Sequence, residues 1–238
     1  VVAIRTIGLD GDDTLWHSEN HFVVTTERLV ELVEPWLTDD GDAGAVESRL
    51  IEIERRNLSL LGYGVKAFTL SMIETAIEAS DGTIPAGAIA EIISWGRDLL
   101  AHPVELLDGV AETLDEVAGE FALVLITKGD LLHQESKIAQ SGIESLFGGI
   151  EIVSEKDPAT YRRVLQRHGA TPDDFVMVGN SVRSDVLPVL ELGARAVHVP
   201  YHVTWALEHP ESADAEFPTI TSLRDLPALL DSWDQRVP

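Results

Sequence analysis

GLDGDDTLW, residues 8–16, closes an apolar run over residues 1–9 and breaks it with an acidic turn that contains a glycine. β-Branched residues with few charges read as a buried strand, and this strand delivers Asp10, Asp12 and Asp13 to its carboxyl end. Four similar short runs follow, at residues 121–126 (FALVLI), 149–153, 175–178 and 196–199. Helical patterns lie between them. Val110, Leu114 and Val117 recur at helical spacing, as do Tyr161, Val164, Leu165 and His168 behind Asp157 as N-cap and Pro158 at the first helical position. Thr171-Pro172 opens another short helical segment. Strands alternating with helices imply right-handed βαβ units, hence an α/β fold whose parallel sheet is covered on both faces.

One stretch breaks the alternation. Residues 18–101 contain no convincing strand but four helical patterns in succession. The first covers about residues 20–36, and the second carries Leu50, Ile53, Asn57 and Leu61. The third carries Phe68, Met72, Ile73, Ala76 and Ile77, and the fourth, entered at Pro85, carries Ile89, Ile92, Ile93 and Leu100. An all-helical block after the first strand predicts a small inserted domain over residues 17–101, with the core formed by 1–16 and 102–238. Near the end, residues 217–220 suggest a short strand, and Ser222 with Asp225 has capping-box spacing ahead of a last helix.

Composition narrows the function. The 238 residues are 45% apolar, enough for a substantial core, and the run at 121–126 is far too short to span a bilayer. Residues 1–7 carry only Arg5 and run straight into acids, which is not the layout of a signal peptide. No cysteine is present, so disulfides, thiolate metal sites and cysteine nucleophiles are excluded. A cytoplasmic location fits. Seventeen basic against forty-one acidic residues give a net charge of −24, a field that repels nucleic acid and anionic membranes. It also repels phosphorylated substrates unless positive charge is gathered locally. Of the four lysines, Lys66, Lys128, Lys137 and Lys156, two fall in the polar segments that follow strands.

Ligands in open α/β sheets bind at the carboxyl ends of the strands. Here those ends carry Asp10-Gly11-Asp12-Asp13-Thr14, then Thr127-Lys128-Gly129, then Ser154-Glu155-Lys156-Asp157-Pro158, then Gly179-Asn180-Ser181 with Asp185 beyond. Asp10 and Asp12, two apart on extended chain, can face one pocket. Two close carboxylates push one pKa upward, which suits a nucleophile and a general acid. A carboxylate attacking a phosphate dianion is repelled, and a cation such as Mg²⁺, bound by oxygen ligands, removes that repulsion. Thr127 offers a hydroxyl, and the amides of Lys128 and Gly129 can hold phosphate oxygens. Lys156 adds fixed positive charge, and protonation of Asp12 would ease the balance further.

In order and spacing, these segments resemble the four motifs of the haloacid-dehalogenase superfamily, and the resemblance spans essentially the whole chain. GLDGDDTLW matches its D-x-D-x-T, Thr127 in LVLITKG its strand-two hydroxyl, Lys156 in SEKDP its lysine, and GNSVRSD at 179–185 its acidic pair. The resemblance implies a Rossmann-like three-layer core, with the helical insert as an α-helical cap. It implies that Asp10 forms an aspartyl-phosphate and that Asp12 protonates the leaving oxygen and then activates water. It assigns the metal to the Asp10 side chain, the Asp12 main-chain carbonyl and the fourth-motif positions Asn180 and Asp185. Asn180 is a departure, since most relatives carry Asp there, and it implies weaker Mg²⁺ binding with more of the load on Asp185. Asp12 disfavours the family's dehalogenases, because a halide leaves without a proton. Gly11 and Asp13 occupy positions that the family lets vary.

The implied function is a magnesium-dependent phosphatase for a small phosphorylated metabolite, acting as a monomer or homodimer. A phosphomutase, a dehalogenase, or a catalytically weak binding protein that keeps the fold are the alternatives. Arg56, Tyr63 and Lys66, around the Gly62-Tyr63-Gly64 turn, are the candidate substrate contacts in the cap. Trp16 either lines the entrance or packs the hinge. His198, His202 and His209 have no spacing that suits a helix-borne metal pair.

Overall fold

The computed structural model describes residues 3–37, 43–209 and 215–234. The chain divides into two compact units, one formed by Val1–Ser18, Val104–Lys128 and Gln134–Pro238, the other by Glu19–Pro103 and Gly129–His133.

The first unit is the α/β fold. Its strands are β1 (Thr6–Leu9), β2 (Ala122–Lys128), β3 (Gly149–Val153), β4 (Phe175–Gly179) and β5 (Arg195–His198). They form one parallel sheet in the order β3-β2-β1-β4-β5. Successive residues of a strand face opposite sides, so each strand serves two cores. Ile7, Leu9, Leu123, Leu125, Val176, Val178 and Val197 pack with helices α5 (Val110–Ala118) and α9 (Leu226–Asp234). Val124, Ile126, Phe175, Met177 and Ala196 pack with α7 (Pro158–His168) and α8 (Leu187–Glu191). Burial on both faces explains why the strands read as apolar runs. Gly8, in the central strand, has no room for a side chain: a Cβ there would lie 2.6 Å from Phe175 Cζ.

The start signals act as read. Asp157 Oδ1 accepts from Thr160 N at 2.6 Å and caps α7. Thr171 and Asp174 form a capping box, and so do Ser222 and Asp225. The suggested strand at 217–220 reduces to one bridge, between His198 and Thr219. His198 N donates to Pro218 O and Ile220 N to His198 O, but Pro218 has no N–H with which to extend a ladder.

The second unit is helical, with α1 (Glu19–Val33), α2 (Ala43–Leu61), α3 (Val65–Ala79) and α4 (Ala86–Leu100). Its core joins Leu29, Val33, Leu50, Phe68, Met72, Ile92 and Trp95. α2 and α3 are separated by Gly62 at φ 72 and Gly64 at φ 107, left-handed values that glycine tolerates and Tyr63 between them does not need. Helix α6 (Leu131–Ser141) begins in this unit's residues and continues in the first. Among the described residues no helix is long and apolar enough to cross a membrane.

Candidate active site

The site lies at the carboxyl ends of β1, β2 and β4, where the strand order reverses around β1. Asp10 N still donates to Val178 O at 3.0 Å, which fixes Asp10 to the sheet. The chain then turns back on itself: Leu15 N bonds Gly11 O at 2.8 Å and Asp13 N bonds Trp16 O at 2.8 Å. Asp13 takes φ 61 in this turn, and its Oδ1 accepts from Ser18 N. Gly11 is constrained rather than free, because a Cβ there would lie 2.7 Å from the Trp16 ring.

Asp10, Lys156 and Asp185 form a buried triad, 6%, 3% and 1% exposed. Lys156 Nζ reaches Asp10 Oδ1 at 2.5 Å and Asp185 Oδ1 at 2.6 Å. Asp185 sits on a turn of π-helix, Val182–Val186, and its Oδ2 accepts from Ser181 N at 3.0 Å. The approach requires Gly179, where a Cβ would meet the Asp185 carboxyl at 2.3 Å. Tyr161 OH donates to Ser184 O at 2.9 Å and steadies the same turn.

The two aspartates of the first segment are shifted in opposite directions. Burial raises the Asp10 carboxyl, Lys156 opposes it, Asp185 adds to it, and the group ends at about 7. Burial also raises Asp12, but Lys137, Trp16 and Gln134 outweigh it and hold the carboxyl below its ordinary value. The raised member is therefore Asp10 rather than Asp12. Its cause is desolvation with Asp185 as neighbour, more than the Asp10–Asp12 pair itself.

Asp12 is gripped by Trp16 and by two groups that the sequence had not placed, Gln134 and Lys137. Trp16 Nε1 donates to its Oδ1 at 2.6 Å and Lys137 Nζ reaches the same oxygen at 2.5 Å. Gln134 Nε2 lies 3.0 Å from Asp12 Oδ2, 2.7 Å from Thr127 Oγ1 and 2.7 Å from Lys128 O. Gln134, Lys137, Ile138 and Ser141 form the buried face of α6, an i, i+3, i+4, i+7 pattern that was present in the sequence with three polar members.

Of the residues expected at the site, Asp10, Asp12, Thr127, Lys156, Asn180 and Asp185 come together in the first unit. Lys128 is there as well, but its Nζ lies 2.5 Å from Glu208 Oε1 and 2.8 Å from Ser184 Oγ. Glu208 also accepts from Ser181 Oγ at 2.5 Å and Ser184 Oγ at 2.6 Å. Burial raises its carboxyl, yet Lys128 and the two serines lower it overall, so Glu208 is an ionised anchor for Lys128. Gly129, at φ 140, turns the chain out of β2. Arg56, Tyr63 and Lys66 belong to the helical unit. There Arg56 pairs with Glu74 at 2.9 Å and Glu78 at 3.0 Å, and Lys66 pairs with Asp130 at 2.9 Å.

The oxygen donors suit a hard cation. Among the described residues no three His, Asp or Glu side chains are arranged to hold a metal. Asn180 Oδ1, which lies across Thr14 from Asp10, would be the third side-chain oxygen of an Asp10, Asp185 and Asn180 set. Thr14 Oγ1 lies 3.1 Å from Asp10 Oδ2 and 3.4 Å from Asn180 Oδ1, and it accepts from Asn180 N at 3.0 Å. One hydroxyl hydrogen cannot serve both oxygens, so the pair retains acceptor capacity of the kind Mg²⁺ uses.

Residues 4–193 match the family model for haloacid dehalogenase-like hydrolases. The chain belongs to that family. A solved haloacid dehalogenase-like hydrolase from Xanthomonas campestris is 43% identical, with a TM-score of 0.85 over 98% of this chain and 93% of that one. The mouse N-acylneuraminate-9-phosphatase is 29% identical over 175 residues, 69% of this chain and 68% of the relative. The glyceraldehyde 3-phosphate phosphatase of Pyrococcus furiosus is 24% identical over 96% of this chain and 92% of its own length. The sheet and the helices of the first unit are the Rossmann-like core of this hydrolase family.

Proposed function

We propose that this hydrolase is a phosphatase for small phosphate monoesters, working through an aspartyl-phosphate on Asp10 with Mg²⁺ as cofactor. The observation that carries the reading is Asp10 itself, a buried carboxylate at a strand end with Lys156 on one oxygen and Thr127 and Asp12 nearby. The phosphatases among its relatives support the reaction class.

In the first half, an Asp10 oxygen attacks phosphorus, the bond from phosphorus to the ester oxygen breaks, and that oxygen takes a proton from Asp12. In the second half, water gives a proton to Asp12 and attacks the same phosphorus, which frees Asp10 and phosphate. Lys137 and Trp16 favour the base form of Asp12 that the second half requires. A phosphate dianion arriving beside Asp12 favours its acid form for the first. Lys156 holds Asp10 in place and offsets charge as phosphate enters. Mg²⁺, when bound, supplies the positive charge that removes the repulsion between carboxylate and phosphate. The side-chain oxygens of Asp10, Asn180 and Asp185 and the main-chain carbonyl of Asp12 would hold it. The helical unit serves as a cap, with Arg56, Tyr63 and Lys66 as its candidate contacts to the part of the substrate beyond phosphate.

The test is phosphate release from 4-nitrophenyl phosphate with millimolar Mg²⁺ and with chelator. Turnover that chelation lowers by at least ~10²-fold is expected; no release with Mg²⁺, or release indifferent to chelator, would sink the reading. Asn180→Asp adds a charge to the ligand set, so calorimetric titration is expected to give ~10-fold tighter Mg²⁺ binding, about 1.4 kcal/mol. An unchanged affinity would show that position 180 does not set the metal's hold.

A further inference from the structure

Helix α6 reaches into the site with two polar side chains one turn apart. We infer that Lys137 and Gln134 are positioning residues that fix the Asp12 carboxylate and the Thr127 hydroxyl for the proposed reaction. The inference rests on the phosphatase reading and deepens it.

The geometry accounts for both oxygens of Asp12. Oδ1 meets Trp16 Nε1 at 2.6 Å and Lys137 Nζ at 2.5 Å, while Oδ2 meets Gln134 Nε2 at 3.0 Å. Three donors from two separate segments leave the carboxylate one orientation. Lys137 is only 9% exposed, and burying an ammonium is costly unless it is paired. An apolar chain would fill the space at lower cost, so the ammonium has its effect through the carboxylate it holds.

Gln134 extends the control to Thr127. Its Nε2 takes a lone pair of Thr127 Oγ1 at 2.7 Å, so the Thr127 hydrogen is directed to another acceptor, in the proposed reaction a phosphate oxygen. Three acceptors surround that one amide nitrogen, and Gln134 Oε1 is buried with no hydrogen-bond partner among the described residues. A glutamine that satisfied only its own packing would not be left so. Neither residue touches the reacting atoms; each acts through a residue that does.

The experiment compares kcat/KM on an alkyl ester, glycerol 1-phosphate, and on 4-nitrophenyl phosphate, whose leaving group needs little protonation. Lys137→Met and Gln134→Leu are expected to lose ~30–100-fold on the alkyl ester and less than ~5-fold on the aryl ester, a range set by misplaced general acid catalysis. KM should move less than about threefold, and Lys137→Arg should recover most of the loss. Thermal midpoints identify a variant that has failed to fold, in which case the other carries the test. Equal losses on both esters, or a loss confined to KM, would overturn the positioning role alone. A native chain that releases phosphate from neither ester would overturn the phosphatase reading and this inference with it.

Discussion

Asp10→Asn is expected to lower phosphate release by ~10⁴-fold or more while raising the thermal midpoint of the metal-free protein. The two effects share one cause. In the proposed reaction Asp10 attacks as a carboxylate, and it sits 6% exposed beside a second buried carboxylate, Asp185. Burial raises its pKa from 3.8 to about 7, against Lys156 and with Asp185. A raised carboxyl stabilises the fold fully below its unfolded value, and that contribution is lost as pH climbs through the folded value. The native protein in chelator should therefore lose stability between about pH 4 and 7, by a few kcal/mol at most, while Asp10→Asn lacks that loss. Thermal melts at pH 5 and pH 8 test the sign: the variant's advantage should grow toward pH 8. An advantage that shrinks with pH would mean that Lys156 stabilises ionised Asp10 by more than burial costs. Turnover within about tenfold of native would remove Asp10 from the chemistry altogether.

The sheet was legible because parallel strands buried on both faces must be apolar throughout, and FALVLI at 121–126 or FVMV at 175–178 has few other readings. The helical insert was legible through its 3.6-residue periodicity and the proline at position 85. The reading failed at 217–220, where Pro218 lacks the donor a ladder needs. The candidate site could be gathered from the sequence for a geometric reason: Asp10, Thr127, Asn180 and their neighbours lie at strand ends, and strand ends can be counted along a chain.

Gln134 and Lys137 were not legible in that way. They sit within a helix and meet Asp12 across 122 and 125 positions of sequence. Polar residues on a helix usually mark its solvated face, and only the packed fold shows that here they lie on the buried one. The charge assignment followed the same limit. Proximity of Asp10 to Asp12 was visible in the sequence, but which carboxyl rises depends on where Lys137 falls. Glu208 is the remaining example: it anchors Lys128 from 80 positions away, in a stretch with no motif to mark it.

Lys156→Met should be the most destabilising single change at the site. Lys156 Nζ lies between Asp10 Oδ1 at 2.5 Å and Asp185 Oδ1 at 2.6 Å, and all three groups are buried. Removing one partner of a buried ionic cluster costs roughly 3–5 kcal/mol, because the remaining charges keep their desolvation penalty and lose their compensation. Two carboxylates would then face each other across the space the ammonium had held. The penalty must depend on pH. Without Lys156 the Asp10 carboxyl loses the charge that opposes its burial and is pushed further upward, so protonation relieves the repulsion, and stability falls as pH rises through the shifted value. Urea melts at pH 5 and pH 8 should show a variant close to native in acid and well below it in base. Millimolar Mg²⁺ should recover part of the difference, since in the proposed metal site a cation on Asp10 and Asp185 would replace the missing charge. A uniform loss at both pH values would assign Lys156 to packing rather than charge. Native stability at pH 8 would mean that the carboxylates had turned toward solvent, and that Lys156 is what holds Asp10 inside the site.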